Sequence, residues 1–96
     1  MCDFSNRQLG IAEQLISEYE IELISLNIFI QRIEGVALAI GNDFWENIIS
    51  PIIDPLEEVN SFALDEHRSL DANEKMIVAE SMKKLKNVLQ QYRVVR

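Results

Sequence analysis

The side chains in this chain that can do chemistry are mostly carboxylates. Sixteen Asp and Glu stand against nine Lys and Arg, with one histidine, one cysteine and three isolated glycines. Nucleophilic catalysis needs a base held beside the nucleophile. The only histidine is His67, in Asp65-Glu66-His67-Arg68, and the only cysteine is Cys2, near the other end of the chain. His67 suits a helix C-terminus, where a cation complements the dipole. A carboxylate-bridged metal centre in a helical bundle needs Glu-x-x-His pairs, but the residue three before His67 is Leu64. A calcium loop needs a longer ladder of acids than Asp71-Ala72-Asn73 supplies. Phosphate-cradling loops need clustered glycines, and Gly10, Gly35 and Gly41 are far apart. No catalytic residue, metal or cofactor is therefore expected, and the chain is read as a non-enzyme.

What remains is where the carboxylates fall. The net charge is −7, and it is divided along the chain. Residues 43–74 hold nine acids and one base, Arg68, while residues 81–96 hold five bases and no acid. The basic end matches a helix C-terminus. The acidic middle concentrates like charge, which works against folding through self-repulsion. On a helix, Asp43, Glu46, Asp54, Glu57, Glu58 and Asp65 fall opposite the apolar positions. Such a face is either simply solvated or a docking ridge that attracts a basic partner and fixes its position. Phe44 and Trp45 lie beside it. Trp45 is in phase with the apolar seam, which assigns it to the core and turns Phe44 away. One of the two aromatics is expected to be partly exposed, where it would suit an interface.

These residues must be positioned by helices, because every apolar pattern in the chain has helical spacing. Ser5 opens a capping-box form with Gln8, followed by Leu9, Ala12, Leu15 or Ile16, and Tyr19, which predicts a helix over about 6–20. Residues 21–24 then form a connection expected to bury Ile21 and Leu23 or Ile24. Ser25 is placed to cap a second helix bearing Leu26, Phe29, Ile30, Ile33, Val36 or Ala37, and Ile40, ended by Gly41 and Asn42. Gly35, Ala37 and Ala39 offer a surface for close helix approach.

The third segment contains Ser50-Pro51-Ile52-Ile53-Asp54-Pro55-Leu56-Glu57. Trp45, Ile49, Ile52, Leu56, Val59 and Ala63 step through it at threes and fours, widened by Ile48 and Phe62. Proline removes a donor and crowds the carbonyl four residues back. Two readings follow. Either Asp54 caps a new helix with Pro55 at its first position, or one long helix from Asp43 to about Glu66 is kinked at Pro51 to Pro55. The preserved phase favours a bent or broken helix of nearly continuous direction. A last helix opens on Asp71 and Glu74, and Val78, Met82, Leu85, Leu89 and Tyr92 line one of its faces, with Ile77, Ser81 and Val88 beside them.

The expected fold is all-α, a compact bundle of about four helices with the third kinked or broken at Pro51/Pro55. It forms a single domain over residues 1–96, with 1–5 and 93–96 frayed. One cysteine excludes an internal disulfide and fits a reducing compartment. Residues 1–15 show no secretory leader and no apolar run is long enough to span a membrane. A cytoplasmic location is expected. Nucleic acid is not expected as a partner, since a phosphate backbone calls for a basic footprint.

The run from Glu34 to Lys75, EGVALAIGNDFWENIISPIIDPLEEVNSFALDEHRSLDANEK, resembles the small helical immunity proteins of bacterial toxin–immunity pairs. It is most similar to those that guard against contact-dependent inhibition and colicin-type toxins. The likeness rests on size, acidity, the all-helical pattern and Trp45, Asp54, Leu56, Glu57, Glu58, Asn60 and Ala63, and covers about residues 8–90. It implies a cytoplasmic protein that binds a cognate toxin domain and blocks it. Nuclease toxins carry basic clefts. The resemblance then implies ion pairs from Asp43, Glu46, Asp54, Glu57, Glu58, Asp65 and Glu66, with Phe44 or Trp45 as an apolar anchor. The alternative is a helical regulatory or adaptor module acting through homo- or hetero-dimerisation.

Overall fold

The computed structural model describes the backbone of residues 2–93 and the side chains of residues 6–92. Among these residues the chain forms four helices and no strand. Helix α1 runs Cys2–Glu20, α2 Leu26–Ile40, α3 Ser50–Asp65 and α4 Ala72–Arg93, with a π-helical segment, π1, over Phe44–Ile49 leading directly into α3. The helices form a ring in which α1 packs on α2, α2 on α3, α3 on α4 and α4 on α1. The bundle measures 44 × 24 × 18 Å. No helix among the described residues is long and apolar enough to cross a membrane.

The core follows the helical spacing of the sequence. Leu9, Ala12, Leu15 and Ile16 of α1 meet Leu26, Phe29, Ile30, Ile33 and Ala37 of α2, and Val78, Met82, Leu85 and Leu89 of α4 close the ring. Burying a side chain of this size stabilises the fold by about 1.5–3 kcal/mol. Tyr19 packs its ring on Phe29, with centroids 5.9 Å apart. Lys86 of α4 reaches Glu20 of α1 at 2.8 Å.

Local chemistry sets the helix ends. The Ile28 N–H donates to Ser25 Oγ at 3.2 Å, so Ser25 caps α2 as its position predicts. Helix α1 instead starts at Cys2, so Ser5 lies inside it and opens nothing. At the end of α1, the Leu23 N–H donates to Glu18 O and the Glu22 N–H to Tyr19 O. The same pattern ends α3, with Arg68 N–H on Ala63 O and His67 N–H on Leu64 O. Both are Schellman turns, whose left-handed position glycine usually fills. Here it holds Glu22 at φ 66° and His67 at φ 51°. The first turn leaves Ile21 67% and Leu23 69% exposed, while Ile24 packs on the core. The expected burial of Ile21 is thus corrected, and of the pair Leu23 or Ile24 it is Ile24 that packs inward: the turn satisfies its backbone carbonyls and directs Ile21 and Leu23 outward. Gly35 is also exposed, with open space where a Cβ would stand, so no helix approaches there.

The third helical run begins at Asn42, one residue after Gly41 ends α2. Its first bond is of α type, from Trp45 N–H to Gly41 O at 3.1 Å. It then widens, and the Ser50 N–H donates to Trp45 O, five residues back. In an α-helix the Pro51 ring would crowd the Asn47 carbonyl. The π turn sits immediately before this conflict, which is its physical reason. Helix α3 then continues through Pro55. Asp54 is inside α3 and caps nothing, so the new-start reading is corrected in favour of one continuous, bent run.

The wider turn also moves the seam. Phe44 is 8% exposed and Ile49, Ile53, Leu56, Val59 and Ala63 are buried, whereas Trp45 and Ile52 are half-buried. The inward set therefore steps by five from Phe44 to Ile49, then by four to Ile53. The expectation that Trp45 lies in the core and Phe44 turns away is reversed. Phe62 does not widen the seam either, since it is 54% exposed.

Candidate functional site

The acidic positions lie along π1 and α3 and reach about 30 Å at 1.5 Å per residue. Asp43, Glu46, Asp54, Glu57, Glu58 and Asp65 are all exposed. None makes a salt bridge among the described residues. Buried Ile53, Leu56, Val59 and Ala63 hold the opposite face against α2 and α4, which turns these carboxylates outward. The scaffold is therefore a packed helix, and the solvent side is free to vary without disturbing the core.

Helical spacing divides the set. Asp54, Glu58, Phe62 and Asp65 step by four, four and three, so they share one outward stripe. Glu57 lies on its flank with exposed Leu64, while at the far end of the run Glu46 sits within the π turn and Asp43 just ahead of it. Phe62 is thus an exposed aromatic ring bordered by carboxylates. The usable signal was its spacing: four residues from Glu58 and three from Asp65, on the solvent side of Val59 and Ala63.

Glu66 differs from the others. It pairs with Arg68 Nε, while Arg68 Nη1 and Nη2 hold the two Glu74 oxygens at 2.6 and 2.8 Å. The Glu74 N–H donates to Asp71 Oδ1 at 2.8 Å, and the Asp71 N–H donates back to Glu74 Oε1 at 3.0 Å. This is a capping box built from two acids, clamped to the end of α3 by one guanidinium. The Arg68 hydrogen bonds, with the Asp71 N–H, lower the Glu74 pKa from 4.5 to about 2. The Glu74 and Glu66 carboxylates hold the Arg68 guanidinium still more firmly in its charged form. Glu66 therefore belongs to an intramolecular clasp in which one guanidinium is shared between two carboxylates.

The residues that carried the family likeness also separate by role. Leu56 and Ala63 are core. Asn60 donates from Nδ2 to Asn27 Oδ1 at 3.0 Å and ties α3 to α2. Only Asp54, Glu57 and Glu58 of that set face water, with Trp45 half-buried against the core. No group of three metal-ligating side chains occurs among the described residues.

Grooves lie at both ends of the bundle, including one beside the end of α3 lined by Asn60, Ala63, Leu64 and His67. Another, of about 640 Å³, lies between the α1–α2 turn and α4, lined by Leu23, Ile24, Leu70, Val78 and Met82. Tyr19 also borders it, and partial burial together with the Glu22 charge raises its pKa. A third, of about 330 Å³, lies at the opposite end of the bundle beside Phe44 and Tyr92. No family model, curated protein or solved structure matches this chain.

Proposed function

We propose that the chain is an immunity protein, which binds and neutralises a cognate nuclease toxin domain in the cytoplasm through the outer face of π1 and α3. The observation that carries this reading is exposed Phe62 set among Asp54, Glu58 and Asp65, none of which pairs with a cation among the described residues. Aromatic anchors at the centre of a contact supply most of its energy. The surrounding carboxylates steer a basic surface onto that anchor and fix its orientation. A nuclease binds phosphates and presents the matching positive cleft, and a row of carboxylates on a rigid helix imitates the charge of its substrate. Glu57, Glu46 and Asp43 extend the same charge along the run.

The test sequences the reading frames that adjoin this one and co-expresses any basic toxin domain found there with this chain, reading survival and complex formation. Phe62→Ala is expected to weaken the complex by about 2 kcal/mol, roughly thirtyfold in Kd. The combined Asp54→Asn, Glu58→Gln and Asp65→Asn variant is expected to lose protection while staying folded. Full protection by both variants would sink the proposal. A helical module that dimerises is the second reading, supported by exposed Ile21 and Leu23 beside the larger groove. Light scattering at high concentration tests its homodimeric form, which a monomer would end.

A further inference from the structure

The smaller groove has a chemistry distinct from the Phe62 face. Its floor is Phe44, whose ring meets Tyr92 edge-on with centroids 4.9 Å apart and planes at 69°. Tyr92 is 46% exposed, so its ring borders both the core and water. Ile40 and Ile48, both half-buried, form apolar walls. Asp43 and Asn47 complete the lining. Both are exposed, and Asp43 makes no salt bridge among the described residues.

We propose that this groove is a socket for one arginine or lysine side chain of a basic protein partner. The proposal rests on the reading of this chain as a binder of such a protein. A long basic side chain has three regions, and the groove offers a match for each. Its methylene stem is apolar and packs on Ile40 and Ile48. Its cation is attracted to the aromatic surface of Tyr92 and Phe44. Its N–H groups find a carboxylate acceptor in Asp43 and an amide oxygen in Asn47. At about 330 Å³ the groove is near the lower limit for small-molecule sites, which suits a single side chain. An acidic side chain would meet Asp43, and an uncharged one would leave that carboxylate unpaired. The π turn matters here, because it places Phe44 rather than Trp45 in the floor. Such turns recur at functional sites.

Titration of the isotope-labelled full chain with N-acetyl-arginine amide, followed by amide NMR, tests this. N-acetyl-norleucine amide serves as the uncharged control. Saturable shifts are expected at Asp43, Asn47, Ile48 and Tyr92, absent with norleucine and absent at Asp54 and Glu58. Asp43→Asn is expected to weaken the midpoint about fivefold, the loss of one exposed charge pair. Tyr92→Phe should leave it unchanged, because the ring and not the hydroxyl makes the contact. Equal shifts along the whole acidic face, or an unaltered midpoint in Asp43→Asn, would overturn the socket. Binding that emerges only when Arg93 and Arg96 are both changed to glutamine would assign it to the chain's own tail and overturn the partner assignment. The titration contains no toxin, so its failure leaves protection through Phe62 standing. Loss of the toxin reading likewise leaves a positive titration intact.

Discussion

Glu22 and His67 each hold a left-handed backbone that costs a residue with a Cβ about 1 kcal/mol. Glycine would relieve this in either Schellman turn, so Glu22→Gly and His67→Gly are each expected to raise stability by up to about 1 kcal/mol in urea denaturation. The gain is partly offset by the freedom glycine adds to the unfolded chain. The Arg68 clasp yields a second residue-scale prediction. The Glu74 pKa is lowered to about 2 in the folded protein, so the unfolded chain takes up its proton first as pH falls. The stabilisation from this carboxylate is full above its ordinary value of 4.5 and is lost as pH drops through about 2. Denaturation of the native chain and Glu74→Gln at pH 6, 4 and 2.5 should show an advantage that shrinks towards zero. An advantage that is constant with pH would place the contribution elsewhere.

At the scale of elements, the π turn decides which residues face the core. Ile53 is fully buried and Ile52 only half-buried. Ile53→Ala should therefore cost about 2–5 kcal/mol and Ile52→Ala clearly less, measured by thermal and chemical unfolding. A uniform α-helical seam through Trp45 and Ile52 would give the reverse order. The α-helical periodicity of α1, α2 and α4 was legible in the sequence because their apolar residues recur at threes and fours without a break, with only the choices between Leu15 and Ile16 and between Val36 and Ala37 left open. Ser25 and the Asp71–Glu74 pair were legible for a similar reason, since each has the side chain that its cap requires. The third run was not fully legible. Phe44-Trp45 and Ile52-Ile53 are adjacent apolar pairs, so either member can complete a seam. The choice is made by Pro51, whose effect is exerted on backbone four and five residues earlier. Phe62 was misread because, as a large apolar residue near Val59 and Ala63, it extends their stripe in a simple count. On the wheel it sits closer to Glu58.

The whole molecule is a small charged rod whose two poles differ. One pole carries the two Schellman turns, the Arg68 clasp and the larger apolar groove. The other carries Gly41, the π turn and the Phe44–Tyr92 pair. The acidic outer face of α3 runs between them. Partner association through that face should slow as ionic strength rises, because salt screens exposed charges over about 8–10 Å. The association rate should fall at least tenfold between 20 and 500 mM salt, while the dissociation rate, set by Phe62, changes little. Stopped-flow or surface-binding kinetics would separate the two. A salt-independent association rate would assign recognition to apolar surface alone.

The five-residue step from Phe44 to Ile49 gives the chain one residue more than an α-helix needs to join the same two core positions. Counted as sequence length, π1 behaves as an insertion absorbed within the helix. Removing one exposed residue, Glu46, would set Phe44 and the residue now numbered Ile49 four apart, the spacing an α-helix brings to one face. The shortened chain should keep its helical circular dichroism and both flanking seams. It should nevertheless lose the arginine socket, because Asp43 and Asn47 would no longer flank the Phe44 ring in the same way. The extra residue would then serve the socket as well as sparing the Pro51 ring its clash, so its removal should cost some stability without unfolding the bundle.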